Sequence, residues 1–163
     1  MQETPEDLTQ LQGILDESDA SGGHHLRGII SAERRLSAEQ LAGRLTGMRL
    51  LVVATSTRDG RPLVSPVDGI FYRARFWFGS APSALKMRHI AERPAASATH
   101  VDGEAFAVTV HGTAAIEGTV DDLKDSGFGE VAREIYGDGW LTWGAGAVYA
   151  ALTPERMYTF HME

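Results

Sequence analysis

With 163 residues, 43% of them hydrophobic and 23% charged, the chain has the size and apolar content of one ordinary domain with a sizeable core, which excludes a disordered protein and a two-domain one. Twenty-two acidic against fifteen basic residues leave a net charge of −7, which excludes a nucleic-acid partner held by neutralising many phosphates. The absence of cysteine excludes disulfides, thiolate metal sites and a Cys nucleophile. The start, Met1-Gln2-Glu3-Thr4, has no basic flank or apolar stretch, and the most apolar run, Leu50 to Ala54, is too short to span a bilayer. The expectation is a cytoplasmic protein, neither exported nor membrane-embedded.

In chain order, Thr4-Pro5-Glu6-Asp7 offers an N-cap, a first-turn proline and two early acids, followed by Leu8, Leu11, Ile14 and Leu15 at helical spacing. Ser21-Gly22-Gly23 ends this helix. The capping box Ser37-Ala38-Glu39-Gln40 starts a second one carrying Leu41, Leu45 and Met48. Residues 1–48 thus read as a helical extension packed on the outside of the main body, and 49–163 as that body, the two together forming a single domain.

The main body is predicted to be β. Leu50 to Thr57 is rich in β-branched residues, Asp59-Gly60 marks a hairpin, and Leu63 to Tyr72 supplies the second strand. Further strands are predicted at Phe76 to Phe78, Ala95 to His100, Ala105 to Ile116, Val148 to Thr153 and Met157 to Phe160. Helices are predicted from Ser83 to Glu92, ended by Arg93-Pro94, and from Asp121 to Tyr136 with a break at Gly127. Six or seven strands, mostly in hairpins, predict a mainly antiparallel barrel or sandwich with peripheral helices.

Charge is unevenly spread. Arg49 to Ile116 holds eight basic and five acidic residues, a net of +3, so the remainder carries −10. Within this basic middle, Phe78-Gly79-Ser80-Ala81-Pro82-Ser83-Ala84-Leu85-Lys86 reads as a strand, a small-residue turn and the start of a helix, with free backbone N–H groups and the helix dipole pointing the same way. Lys86, one of two lysines among thirteen arginines, falls in the first turn. Two readings stay open: an anion site, or Ser80 or Ser83 capping the helix beside a solvated lysine.

Other chemistry finds less support. His24 and His25 are adjacent, and His89, His100, His111 and His161 are scattered without a carboxylate motif, so no metal is expected. His111 shares a strand face with Ala107, Thr109 and Thr113, a surface or interface position. No Gly-x-Ser-x-Gly elbow or triad pattern appears. Trp77, Trp140 and Trp143 read either as core or, in the flexible segment Gly139 to Gly146, as a flat wall for a planar cofactor.

From about Leu45 to Gly118, several segments in this order and spacing resemble the pyridoxamine 5'-phosphate oxidase-like, flavin-binding split-barrel superfamily, including its deazaflavin-dependent reductase branch. They are Val53-Ala54-Thr55-Ser56-Thr57-Arg58-Asp59-Gly60-Arg61-Pro62, Val64-Ser65-Pro66-Val67, Ser83 to Lys86 with Arg88-His89-Ile90 and Arg93-Pro94, and Val110-His111-Gly112-Thr113-Ala114. Leu152 to Tyr158 is similar to the family's last β segment. The resemblance implies a split β-barrel and a homodimer with cofactor clefts shared across the interface. It implies an oxidoreductase acting on a small-molecule substrate, with FMN as cofactor or, alternatively, the deazaflavin coenzyme F-420. By position, Lys86 would contact the cofactor phosphate with Ser80 and Ser83, and Ser65, Pro66 and Val67 would lie against the ring. Trp140 or Trp143 of a second subunit would close the site, and Arg61 and Arg88 are the next phosphate candidates. The chain departs from the family pattern in having Ala84 and Leu85 where an arginine often precedes Lys86, and in lacking the strand-borne arginine-to-lysine phosphate motif. A non-catalytic cofactor-binding or sensing module is the alternative.

Overall fold

Two capping boxes set the first helices in the computed structural model, which describes residues 2–162 apart from the side chains of 25–27. Met1, Glu163 and the His25 ring of the sequence reading therefore lie outside the described residues. Helix α1 (Pro5–Ser21) starts on Thr4, whose hydroxyl accepts the Asp7 N–H while the Asp7 carboxylate accepts the Thr4 N–H, and it ends at Gly22. After α2 (His24–Ile29) and a 3-10 turn (Ala32–Arg34), neither expected, α3 (Ala38–Arg44) repeats the device with Ser37 and Gln40. Met48, expected on this helix, is instead the first residue of β1. Gly47 at φ 74° turns the chain before the third helical repeat is complete.

Six antiparallel strands close a barrel in the order β1-β2-β3-β6-β5-β4. They are β1 (Met48–Ser56), β2 (Pro62–Tyr72), β3 (Arg75–Ser80), β4 (Ala95–Asp102), β5 (Phe106–Thr119) and β6 (Val148–His161). Helix α4 (Leu85–Glu92) joins β3 to β4, and α5 (Val120–Leu123), α6 (Gly127–Tyr136) and α7 (Trp140–Trp143) lie between β5 and β6. The expected break at Gly127 separates α5 from α6, whose first turn is capped by Ser126. The segment read as flexible, Gly139 to Gly146, contains the one-turn helix α7.

Turn geometry explains the hairpins. Gly60 at φ 82° closes β1 to β2, with Thr57 N–H donating to the Arg61 carbonyl at 2.9 Å. Between β2 and β3 only Arg73 and Ala74 intervene, and both take left-handed φ values of 55° and 56°. A two-residue hairpin loop demands that geometry although neither residue favours it. Arg73 is tied to Asp7 of α1 at 2.7 Å and Ala74 is buried, so tertiary contacts hold the turn.

The two C-terminal runs expected as separate strands form one strand, β6. Pro154 cannot donate to a ladder, but it sits at an irregularity: His111 pairs with Arg156 and Gly112 with Pro154, leaving Glu155 as the extra residue of a bulge. Gly112 is required there, since a Cβ would lie 2.0 Å from the Thr153 carbonyl oxygen.

Strand alternation divides the apolar side chains between two cores. Inside the barrel, Leu51, Val53, Val67, Phe76, Phe78, Val108, Val110, Leu152 and Met157 pack with Leu11, Leu15, Leu41 and Leu45 from α1 and α3 and with Met87 and Ile90 from α4. Outside it, Ile70, Trp77, Tyr149 and Ala151 meet Val120, Leu123, Phe128, Val131 and Trp140 of α5–α7. No helix among the described residues is long and apolar enough to cross a membrane.

Candidate functional site

At one rim of the barrel β1 ends, β2 begins, β3 ends at Ser80, and β6 begins at Val148, the partner of Ser80. The chain leaves this rim through Ala81, Pro82 and Ser83, all exposed, and turns back on an Ala84 N–H to Ala81 carbonyl bond of 2.9 Å. Helix α4 then begins. Helices α1, α3, α5 and α6 each start on a Ser or Thr whose hydroxyl accepts a first-turn N–H, whereas α4 starts on Ala84 with no side-chain cap. Ser83 stands one residue too early, so the capping reading of Ser80 or Ser83 is set aside. The Met87 and Arg88 N–H groups bond the Ala84 carbonyl, and those of Leu85 and Lys86 have no acceptor among the described residues.

The Lys86 side chain, half-buried, reaches back so that Nζ lies 3.4 Å from Ser80 Oγ. This brings together two of the predicted residues from either side of the turn. Beside them β2 pairs with β1 from Pro62 onward but with β3 only from Gly69. Its upper half, residues 62–68, therefore presents an open backbone edge on the side where β3 runs into the turn and Lys86. An ammonium, a hydroxyl, these two N–H groups and an open strand edge are the donor set that a phosphate monoester on a planar, hydrogen-bonding ring system needs.

Strand alternation separates Ser65, Pro66 and Val67. Val67 is in the barrel core and Ser65 shares its face, whereas Pro66 is exposed on the outer face beside Val52. A ring lying flat on one face would meet only the side chains of that face, whereas the open backbone edge is common to all three. Arg61 sits at the hairpin tip, 81% exposed and paired with Asp59 at 3.0 Å, and Arg88 is exposed on α4; no hydrogen bond joins either to Lys86 or Ser80 among the described residues.

The two tryptophans also part. Trp140 is fully buried and donates from its indole N–H to the Tyr149 hydroxyl at 2.7 Å, so it belongs to the outer core and offers no face to a cofactor, a correction to the expectation. Trp143 is 59% exposed and meets Tyr136 edge-on, with ring centroids 5.3 Å apart. It precedes the Gly144 to Ala147 segment that leads into Val148 at the same rim. Burial, with Asp68 and Tyr149 adding to it, pushes the Tyr136 phenol up to about 12, and burial likewise raises Tyr149. Both phenols therefore remain neutral donors.

His111 is exposed on the outer face, with Nδ1 2.7 Å from Ser97 Oγ, at the surface position read from its strand. The sequence reading set His89 on the predicted helix and in the family-like segment but gave it no role. It is buried on α4 with Nδ1 3.0 Å from Thr55 Oγ1 on β1. The spacing of Lys86 and His89 along one helical stripe was the available signal. Two grooves, of about 600 and 710 Å³, lie between α1 and the β2–β3 turn and between α1 and α3, and contain none of the predicted site residues.

Comparison with known proteins agrees with this fold. No curated protein matches the sequence. Among solved structures, a conserved hypothetical protein from Mycobacterium tuberculosis is 18% identical and superposes with a TM-score of 0.67 over 80% of this chain and 88% of that one. A protein described as an F420 reductase is 21% identical, with a TM-score of 0.52 over 69% and 91%. The heme storage protein HutZ from Vibrio cholerae is 16% identical, with a TM-score of 0.59 over 76% and 90%. At such identities the likeness is one of fold. The pyridoxamine 5'-phosphate oxidase family, however, matches residues 37–161, over three quarters of the sequence and every strand of the barrel, and the chain belongs to that family.

Proposed function

We propose that the protein is an oxidoreductase that binds FMN at the α4 rim and acts on a small molecule. The carrying observation is the uncapped N-terminus of α4 with Lys86 and Ser80 beside the open edge of β2. Lys86, Ser80 and the Leu85 and Lys86 N–H groups would hold the phosphate, and the exposed hydroxyl of Ser83 lies in the same turn. When bound, the flavin would supply the hydride chemistry, while the chain contributes phosphate anchoring and orientation of the ring. The deazaflavin coenzyme F-420 is the alternative occupant, supported by the F420 reductase relative.

Titration followed by absorbance and fluorescence, with FMN and F-420 side by side, tests this reading. Saturable binding of one of them at micromolar concentration is expected. No binding of either at tens of micromolar overturns it. The second reading, a barrel that holds a cofactor without turning it over, is supported by the relative described as a heme storage protein. Reduction of the bound cofactor by a nicotinamide nucleotide separates the two.

The same reading includes a homodimer with a shared cleft. Its support is the outer face of β1, β2 and β4, where Leu50, Val52, Val64 and Val101 are 55%, 38%, 63% and 57% exposed and no helix covers them. A contiguous apolar sheet face of this kind is unfavourable in water and typical of a subunit interface. Sedimentation equilibrium at micromolar concentration is expected to report about twice 17.6 kDa, and Val52→Glu with Val64→Glu to shift it toward the monomer. A monomer that binds cofactor at full affinity contradicts the shared cleft.

A further inference from the structure

One stripe of α4 carries two polar side chains, Lys86 and His89, and Arg93 follows at the extended C-cap; each of the three bonds the barrel rim at a different point. Lys86 approaches Ser80 Oγ on β3, His89 Nδ1 lies 3.0 Å from Thr55 Oγ1 on β1, and Arg93 Nε donates to the Ser56 carbonyl at 3.1 Å. The helix thus bridges from the end of β3 to the end of β1. Met87 and Ile90, both buried, hold it down against the interior core.

The central bond is the unusual one. His89 and Thr55 are only 8% and 5% exposed and lie among apolar side chains, where two hydrocarbon groups would seal the barrel without desolvating polar atoms. Apolar contact alone tolerates small changes of helix roll and axial shift, whereas a buried hydrogen bond has one favourable geometry. Lys86 lies one turn N-terminal of His89 on the same stripe, so the roll that this bond sets also decides where the ammonium and the first-turn N–H groups point.

We propose that His89 and Thr55 are positioning residues of the phosphate site, acting through the setting of α4. The inference rests on the reading that α4 and Lys86 hold the cofactor phosphate, and it assigns to a buried pair a share in phosphate affinity that neither residue exerts by contact. The pair affects only ligands that carry the phosphate, because the ring is held on β2 and not on α4.

The test compares FMN with riboflavin, which lacks the phosphate, by fluorescence titration of the full-length protein. Thr55→Val keeps the side-chain volume and removes the hydroxyl. It is expected to weaken FMN binding roughly three- to tenfold, as loss of one buried hydrogen bond allows, with riboflavin affinity unchanged and Thr55→Ser restoring FMN affinity. In a Lys86→Ala background Thr55→Val is expected to cost less than in the wild type, since one of the groups it positions is gone and only the first-turn N–H groups remain. If Thr55→Val does not fold, His89→Leu with His89→Asn as its rescue reads the same coupling. Unchanged FMN affinity in Thr55→Val while Lys86→Ala is weakened overturns the positioning role and leaves the phosphate site standing. Equal losses for FMN and riboflavin overturn it as well, by showing a general support of the barrel. An unchanged affinity in Lys86→Ala itself removes the phosphate reading, and this inference with it.

Discussion

Lys86→Ala is expected to weaken FMN binding roughly ten- to a hundredfold, because a charge-assisted contact to a phosphate is worth about 1.5–3 kcal/mol and each 1.4 kcal/mol is about a factor of ten. The ammonium lies one residue into α4, next to Ser80 Oγ and to two N–H groups that have no acceptor among the described residues, so lysine and helix end would act on the same anion. Riboflavin affinity should be unchanged. Thermal stability without cofactor should also hardly change, since the lysine makes one long hydrogen bond and no ion pair among the described residues. Lys124→Ala is the control: its ammonium pairs with Asp121 at 3.2 Å on the α5 side of the barrel, and its loss should leave affinity as it was. Equal affinity of wild type and Lys86→Ala would place the phosphate elsewhere, with Arg88 the nearest alternative on the same helix.

Gly112→Ala should severely destabilise the fold, by about 3 kcal/mol, the upper end of the usual cost of overpacking, because the clash is with backbone. The added Cβ would stand 2.0 Å from the Thr153 oxygen and 3.0 Å from the Glu155 nitrogen, and both are backbone atoms of β6. Neither can swing aside as a side chain would. The strands must separate where the bulge joins the two halves of β6. Gly13→Ala tests the same chemical change in the opposite sense: Gly13 is exposed within α1, its Cβ would meet nothing within 4 Å, and the helix should gain up to about 1 kcal/mol. Urea unfolding of both variants against wild type reads both signs. A Gly112→Ala protein as stable as wild type would show that the β5–β6 contact relaxes freely.

The family match fits the way site and scaffold are divided. Gly112 belongs to the scaffold, where β5 and β6 cross closely, while Lys86 and Ser80 belong to the rim, where the turn after β3 can change without disturbing the ladder.

Local patterns in the sequence determined the helix starts at Thr4 and Ser37, the Asp59-Gly60 hairpin, the strand positions and the turn that leads into Lys86, because each depends on residues within a few positions of one another. Tertiary structure alone decided the rest. Closure of the barrel joins β1 to β4 and β3 to β6, pairs distant in the chain whose choice depends on packing both faces at once. Pro154 suggests a strand break until the bulge at Gly112 removes the need for its missing donor. Trp140 and Trp143 lie three residues apart in a glycine-flanked segment, so no periodicity distinguishes core from surface; docking against Tyr149 buries the first and leaves the second exposed. Ser83 looks like a helix cap, and only the start of α4 at Ala84 leaves the helix without a side-chain cap. His89, one of six scattered histidines, acquires its partner Thr55 when α4 folds over the rim, since their bond spans 34 positions of the chain and exists only in the closed barrel.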